Sequence, residues 1–199
     1  MKHEQLSFFA ASTPVSPPAM PDGFRYAPDV IAPADEDDLV AHFANLPFKE
    51  FEFHGFLGKR RVVSFGTRYD YNDGQVKEAP PIPPFLLPLR ERAAVFAGLS
   101  PDRLAQALVT EYREGVTIGW HRDRPHYGDV IGVSLLSPCT FRLRRKNGAG
   151  WDRASLRLAP RSIYLMRGPA REEWEHSIPA GDALRYSVTF RSLRHPASR

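Results

Sequence analysis

After Asp102 the chain breaks into short β-prone runs divided by turn-forming residues: 107–112, 128–136, 140–145, 154–158, 162–166 and 184–193. Many short strands without regular helices between them predict an antiparallel barrel or jelly roll. The last run contains Arg185-Tyr186-Ser187-Val188-Thr189-Phe190-Arg191. Side chains alternate across a strand, so Arg185, Ser187, Thr189 and Arg191 share one face while Tyr186, Val188 and Phe190 share the other. The wholly polar face is either an ordinary solvated side or the lining of a site.

The first half is organised differently. Pro14, Pro17, Pro18, Pro21, Pro28 and Pro33 block regular hydrogen bonding, and roughly the first 20 residues read as a flexible arm. Residues 35–46 (DEDDLVAHFANL) place acids in a first helical turn and apolar Leu39, Val40, Phe43 and Leu46 along one stripe, predicting a short amphipathic helix. Residues 51–71 are aromatic and β-branched, broken by Gly55, Gly58 and Gly66, which predicts short strands joined by tight turns. The basic tip Lys59, Arg60, Arg61 falls between two of them. The run APPIPPFLLP (79–88) cannot be an interior strand and leads into a helix near 89–97. The chain thus divides into an arm (1–20), an N-terminal extension (21–100) and a β-rich core (101–195), within one compact domain.

With 199 residues, 42% of them hydrophobic, the composition is that of a globular domain. No window approaches the roughly 18 apolar residues of a membrane span, and the N-terminus lacks the pattern of a signal peptide. A cytoplasmic, monomeric protein is expected. The single cysteine, Cys139, excludes an internal disulfide and any multi-cysteine zinc site, so metal ligands would be His, Asp or Glu. Charge is uneven: residues 1–50 carry 3 basic and 8 acidic groups, whereas residues 51–199 carry 24 and 15. The positive excess permits a polyanionic partner. Arg supplies 22 of the 27 basic residues, and its planar fork suits carboxylates and phosphates.

His121 and Asp123 form an H-x-D unit after Trp120, and an i, i+2 spacing on a strand or its end aims both the same way. His176, in WEHSIP, is the best third ligand. Two His and one carboxylate make the facial triad of non-haem Fe(II) oxygenases; zinc hydrolysis is the chemical rival.

Order and context add specificity. The chain reads Y-x-x-G-x-x-I-x-x-H-x-D from Tyr112, then S-L at Ser134, then M-x-G-x-A-R-x-x-W-x-H-x-I from Met166, then R-x-S-x-T-F-R from Arg185. This pattern resembles the AlkB family of Fe(II)- and 2-oxoglutarate-dependent dioxygenases, closely over residues 105–193 and more loosely over 51–71. The resemblance implies a double-stranded β-helix core (jelly roll, cupin-like; α+β but mainly β) whose N-terminal helix and strand extension forms a substrate lid. His121, Asp123 and His176 would ligate Fe(II). Arg185 would pair with the distal carboxylate of 2-oxoglutarate and Tyr112 would bond the same end. Arg191 would contact the carboxylate nearest the metal, and Ser187 stands where the family often has Asn. Such buried carboxylates call for charge-assisted, bidentate partners. Arg60 with Tyr69 and Tyr71 falls where the family carries its nucleotide-recognition lid, and Arg171 would orient substrate or brace the site.

The implied reaction consumes dioxygen and 2-oxoglutarate, releases succinate and carbon dioxide, and hydroxylates an N-alkyl group that leaves as an aldehyde. The implied substrates are N-alkylated bases of single-stranded DNA or RNA, as in alkylation-damage repair. Pro125 stands where some DNA-repair members carry a base-reading acid, so base preference does not carry over. The same chemistry on a protein side chain or modified tRNA nucleoside is the alternative; a basic binding module without catalysis is a third reading. Arg122 and Arg124 would point away from the ligand face on a regular strand. Arg142, Arg144, Arg145 and Lys146 form either a nucleic-acid-facing patch or a soluble edge. His54 reads as a turn or packing residue, Cys139 as a small packed one, and Trp174 as support behind His176.

Overall fold

The computed structural model describes residues 20–53, 56–70 and 74–194. In chain order its elements are β1 (Phe24–Ala27), α1 (Pro33–Phe43), β2 (Lys49–Phe53), β3 (Phe56–Phe65), β4 (Thr67–Asp70), β5 (Gln75–Glu78), α2 (Leu87–Ala97), β6 (Leu104–Tyr112), β7 (Ile118–His121), β8 (Tyr127–Leu135), β9 (Cys139–Asn147), β10 (Gly150–Leu158), β11 (Ser162–Met166), α3 (Gly168–Glu172), β12 (Glu175–Ile178) and β13 (Arg185–Leu193). They form a seven-stranded sheet in the order β1-β11-β8-β13-β6-β3-β2, a four-stranded sheet β10-β9-β12-β7, and the hairpin β4-β5. Every pairing among these described strands is antiparallel.

The six predicted runs of the second half are all strands, and the predicted mainly β jelly roll is what the chain forms. β1, β5, β7, β12 and α3 lack a sequence signal, being only four or five residues each. Tertiary pairing makes them: β1 zips onto β11, and β12 lies between β9 and β7. Helix α1 begins at Pro33, two residues earlier than predicted, because proline suits the first helical turn. The proline run ends in a single 3-10 turn, Pro84–Leu86, before α2. α2 stops where Gly98 takes a left-handed φ of 66°.

The alternation of β13 sorts the molecule into layers. Tyr186, Val188 and Phe190 are buried against α1 and α2 in a core with Leu39, Phe43, Leu86, Leu89 and Ala93. Phe43 meets Tyr186 edge-on, with ring centroids 5.2 Å apart. Each such fully buried side chain stabilises by about 1.5–3 kcal/mol. Glu36 on α1 is also buried; its carboxylate accepts the Leu136 N–H at 2.8 Å and an Arg161 guanidinium hydrogen at 3.3 Å, fastening the helix to the end of β8. The opposite face of β13 looks toward the four-stranded sheet, and a second core of Phe141, Leu143, Tyr164, Met166, Trp174 and Ile178 fills part of the space between the sheets. Arg185, Ser187 and Thr189 are all buried, so the polar face is not a solvated side.

One row across the large sheet shows how tightly that interior is filled. Gly132 on β8 pairs with Tyr164 on β11, and a Cβ at 132 would lie 2.3 Å from the Tyr164 ring. Gly132→Ala is therefore expected to destabilise by about 1–3 kcal/mol through overpacking. Denaturant unfolding measures this, and an unchanged midpoint would show that the ring can move aside.

Candidate active site

The geometry starts with an irregular strand. His176 on β12 lies directly opposite His121 on β7, and Ile178 opposite Ile118, so β7 spends three residues where β12 spends two. This bulge lets Ile118 and His121 share a face although a regular strand would separate them, and it turns Trp120 the other way. β7 ends at His121, so the i, i+2 spacing falls at the strand's end and Asp123 reaches the site from the segment just beyond it. For the same reason Arg122 and Arg124 are not turned away. Both line the main cavity; the Arg122 guanidinium donates to the Glu172 carbonyl at 3.1 Å and that of Arg124 covers the Tyr69 ring at 4.9 Å.

The imidazoles of His121 and His176 are 4.2 Å apart between centroids, and His176 Nε2 lies 3.8 Å from Asp123 Oδ2. His121 Nδ1 is 2.9 Å from the Gly119 carbonyl; with the proton there, Nε2 presents its lone pair to the site. Phe141 stacks on His176 and holds its ring. Asp123 Oδ1 accepts a hydrogen bond from Arg191 Nε at 2.8 Å and forms an ion pair with Nη2 at 2.7 Å, leaving Oδ2 toward His176. Arg191 Nη1 donates to Gln106 at 2.8 Å.

Electrostatics poise these groups as ligands. Burial pushes His176 down to about 3, with the neighbouring His121 adding to the shift, and burial likewise lowers His121. Both imidazoles are neutral at pH 7. Burial alone would raise the Asp123 carboxyl, but the Arg191 guanidinium and the two imidazoles outweigh it and hold the group well below the usual carboxylate range. Two neutral imidazoles and an ionised carboxylate are the donor set that Fe(II) takes in a facial triad. Two donors each about 2.1 Å from one ion, at right angles, stand roughly 3 Å apart. The 3.8 Å separation is wider, and among the described residues no three His, Cys, Asp or Glu side chains form a closed metal cage. The fit therefore lies in the chemistry and placement of the donors. Because unfolded His protonates near 6.5 and folded His176 only near 3, the unfolded chain binds the extra proton between these values. The iron-free protein is accordingly expected to lose thermal stability as pH falls below about 6.5. His176→Gln should flatten that fall.

A second polar group lies along β13. Arg185 Nε donates to Ser134 Oγ at 3.0 Å, and Ser134 is the register partner of Ser187, so the guanidinium leans along the strand toward Arg191. Its carbon sits 4.8 Å over the Tyr112 ring. Arg185 Nη1 is buried and has no hydrogen-bond partner among the described residues. A buried charged donor without a partner is costly, and an anion supplied from outside relieves it. Arg185 and Tyr112 also border a cavity of about 200 Å³.

Beside Asp123 opens a larger cavity of about 880 Å³. Among the described residues, Lys59, Arg60, Arg68, Arg122, Arg124 and Arg191 line it with a single carboxylate, Asp123. Phe51, Tyr69, Trp120 and Tyr127 add aromatic walls. Arg60 and Tyr69 are both in this lining, whereas Tyr71 lies outside the described residues, as does His54. Arg171 has a different place from a substrate contact: it is buried, and its guanidinium donates to the carbonyls of Arg124, Tyr127 and Gly128 at 2.6–3.1 Å, bracing the segment after Asp123. Its length and charge are spent on the backbone. Gln106 and Ser134 gained no role from the sequence, because only strand register brings them to Arg191 and Arg185.

Comparison with known proteins agrees with this arrangement. A family model described as the 2OG-Fe(II) oxygenase superfamily matches residues 24–191. An Arabidopsis thaliana protein named "Alkylated DNA repair protein ALKBH8 homolog" is 29% identical over 218 residues, covering 88% of this chain and 60% of the relative. The chain thus spans about three fifths of that relative's length. An uncharacterized protein, L905 of Acanthamoeba polyphaga mimivirus, is 32% identical over 101 residues, covering 44% of this chain and 48% of its own. Among solved structures, that of OsALKBH1 superposes with a TM-score of 0.69 at 15% identity, over 87% of this chain and 98% of that one, which shows a shared fold. The family match spans both imidazoles, the carboxylate and both strand arginines: the chain belongs to the 2OG-Fe(II) oxygenase superfamily, dioxygenases that use Fe(II), 2-oxoglutarate and dioxygen.

Proposed function

We propose that this protein oxidatively dealkylates N-alkylated nucleobases in DNA or RNA, with His121, Asp123 and His176 as iron ligands. The observation that carries the nucleobase reading is the cavity of about 880 Å³ beside them, with six basic residues and aromatic walls around one acid among the described residues. A flat base finds stacking surfaces in Phe51, Tyr69 and Trp120, while the basic rim meets phosphates without reading sequence.

When bound, the iron supplies oxidation of the alkyl carbon at the expense of 2-oxoglutarate and dioxygen. Everything else is the chain's own work. Arg185 receives the far carboxylate of 2-oxoglutarate on its unpartnered Nη1, with Tyr112 alongside, and Ser187 borders the same interior. Arg191 holds Asp123 by its Oδ1, so that Oδ2 faces His176, and stands ready for the carboxylate nearest the metal. Burial of the two imidazoles and the Arg191 charge beside Asp123 keep the three donors deprotonated throughout the neutral range. The hairpin β4-β5 carries Tyr69 to the cavity wall, which supports a lid role for this segment. As the product's N-hydroxyalkyl group collapses, the carbon leaves as an aldehyde and the nitrogen recovers its proton.

The test is succinate and formaldehyde release from iron-loaded protein, with and without a methylated single-stranded oligonucleotide. Stimulated, matched release of both products is expected. Turnover that a peptide or a modified tRNA nucleoside stimulates, but a methylated strand does not, would overturn the nucleobase reading and keep the oxygenase chemistry.

A further inference from the structure

The outer face of the small sheet has a composition that barrel packing does not require. Along β9, Phe141 and Leu143 point into the interior core while Arg142 and Arg144 point out, with Lys146 following at the same alternation. On β10, Trp151 pairs with Lys146 and Arg153 with Arg144. On β12, Glu175 pairs with Arg144 and Ser177 with Arg142. Trp120, turned outward by the β7 bulge, completes the row.

These side chains are stacked. Arg142 and Arg144 lie 5.1 and 4.4 Å over the Trp120 ring; Arg144 and Lys146 lie 4.2 and 5.3 Å from that of Trp151. Arg144 is thus held between two indoles, its charge partly answered by Glu175 at 2.6 Å. Lys146, Trp151 and Arg153 are exposed. A positive row interleaved with flat rings is a poor way to build a soluble edge, since each indole costs solubility. It suits a polymer that alternates negative charge with flat rings.

The position of the row decides what that polymer is. Trp120 lines the 880 Å³ cavity on one side and touches Arg142 and Arg144 on the other, so the row starts at the mouth of the site. From Arg142 to Lys146 it runs about 13 Å, the length of three to four stacked nucleotides at about 3.4 Å each. We propose that this outer face of β9 and β10 carries the single-stranded flank of the substrate, its phosphates on Lys146 and Arg153 and a base against Trp151. The proposal rests on the nucleobase reading above. An acidic peptide could use the cations but would leave the indole faces idle.

The test uses the full chain with two variants outside the iron and cosubstrate sites, Trp151→Ala and the double Lys146→Glu/Arg153→Glu. Binding of a methylated 12-nucleotide single strand is followed by fluorescence anisotropy across a salt series. Turnover of the corresponding methylated nucleoside is followed in parallel. Trp151→Ala is expected to weaken strand binding about 5- to 100-fold, as loss of one stacked base does. The double variant should lower the slope of log K against log salt by about 1.4, or 0.7 per lost phosphate contact. Nucleoside turnover should be unchanged in both. If the parent binds the strand and both variants bind it equally well, the face proposal is overturned and the nucleobase reading stands. If the parent binds no strand at all, both fall. If poly-glutamate displaces the strand at lower concentration than an unlabelled strand does, the face belongs to an acidic protein partner and the proposal is overturned.

Discussion

Arg185→Met is expected to raise the apparent KM for 2-oxoglutarate by about 10²–10³-fold while leaving the cosubstrate-free protein as stable as the parent, or more so. The two halves of this result have one cause. Among the described residues Arg185 makes one side-chain hydrogen bond, to Ser134, stacks on Tyr112, and keeps Nη1 buried without a partner. Replacing such a group by an apolar side chain of similar length removes a desolvation penalty and keeps the packing. With 2-oxoglutarate present the balance reverses, since truncating one partner of a buried charge pair costs about 2–5 kcal/mol. The measurement is a pair of thermal melts with and without 2-oxoglutarate, beside steady-state kinetics. The parent should gain stability from the ligand and the variant should not. A variant that melts well below the parent without ligand would mean that Arg185 serves the fold rather than the cosubstrate.

Asp123→Ala has the opposite character, because it should damage both activity and fold. Removing the carboxylate takes away one of the three proposed iron donors, so iron-dependent turnover is expected to fall at least about 100-fold, the scale on which even outer-shell partners of metal ligands act. It also strands Arg191, whose guanidinium is held by a hydrogen bond and an ion pair to Asp123 Oδ1 and is largely shielded from solvent. Breaking a buried pair from one side costs about 3–5 kcal/mol. The double change Asp123→Ala/Arg191→Met should therefore recover much of the lost stability and none of the activity. Equal melting temperatures for the single and double variants would show that the pair is not coupled as the geometry indicates.

These two arginines illustrate how far the chain can be read without its fold. The alternation of residues 185–191 is enough to separate Arg185, Ser187, Thr189 and Arg191 from Tyr186, Val188 and Phe190, and both sets lie on the sides that this periodicity requires. The direction of each arginine is another matter. That Arg185 leans to Ser134 and Arg191 to Gln106 and Asp123 depends on which residues of β6 and β8 stand beside them. A shift of one residue in either pairing would put different side chains there.

The iron-binding candidates divide in the same way. The order of His121, Asp123 and His176, within a spaced set of Gly, Ser, Met, Trp and Arg, sufficed to mark them as a group. Alternation on a regular strand would turn Arg122 and Arg124 away, but both line the cavity because β7 stops at His121. Arg171 sits within the matched motif but is bound to three carbonyls, which no local pattern could reveal.

What the sequence determined by itself was whatever a strand or helix decides locally: the β-rich second half, the two helices, the polar stripe of the last strand and the ordered set of candidate ligands. Only the tertiary structure decided which residues meet, including the facing imidazoles, the unpartnered guanidinium of Arg185, the grip of Arg191 on Asp123 and the Arg–Trp row outside. The physical reason is range. Backbone alternation and turn preference are settled within a few residues, whereas register, bulges and ion pairing are settled by packing between segments far apart in the chain.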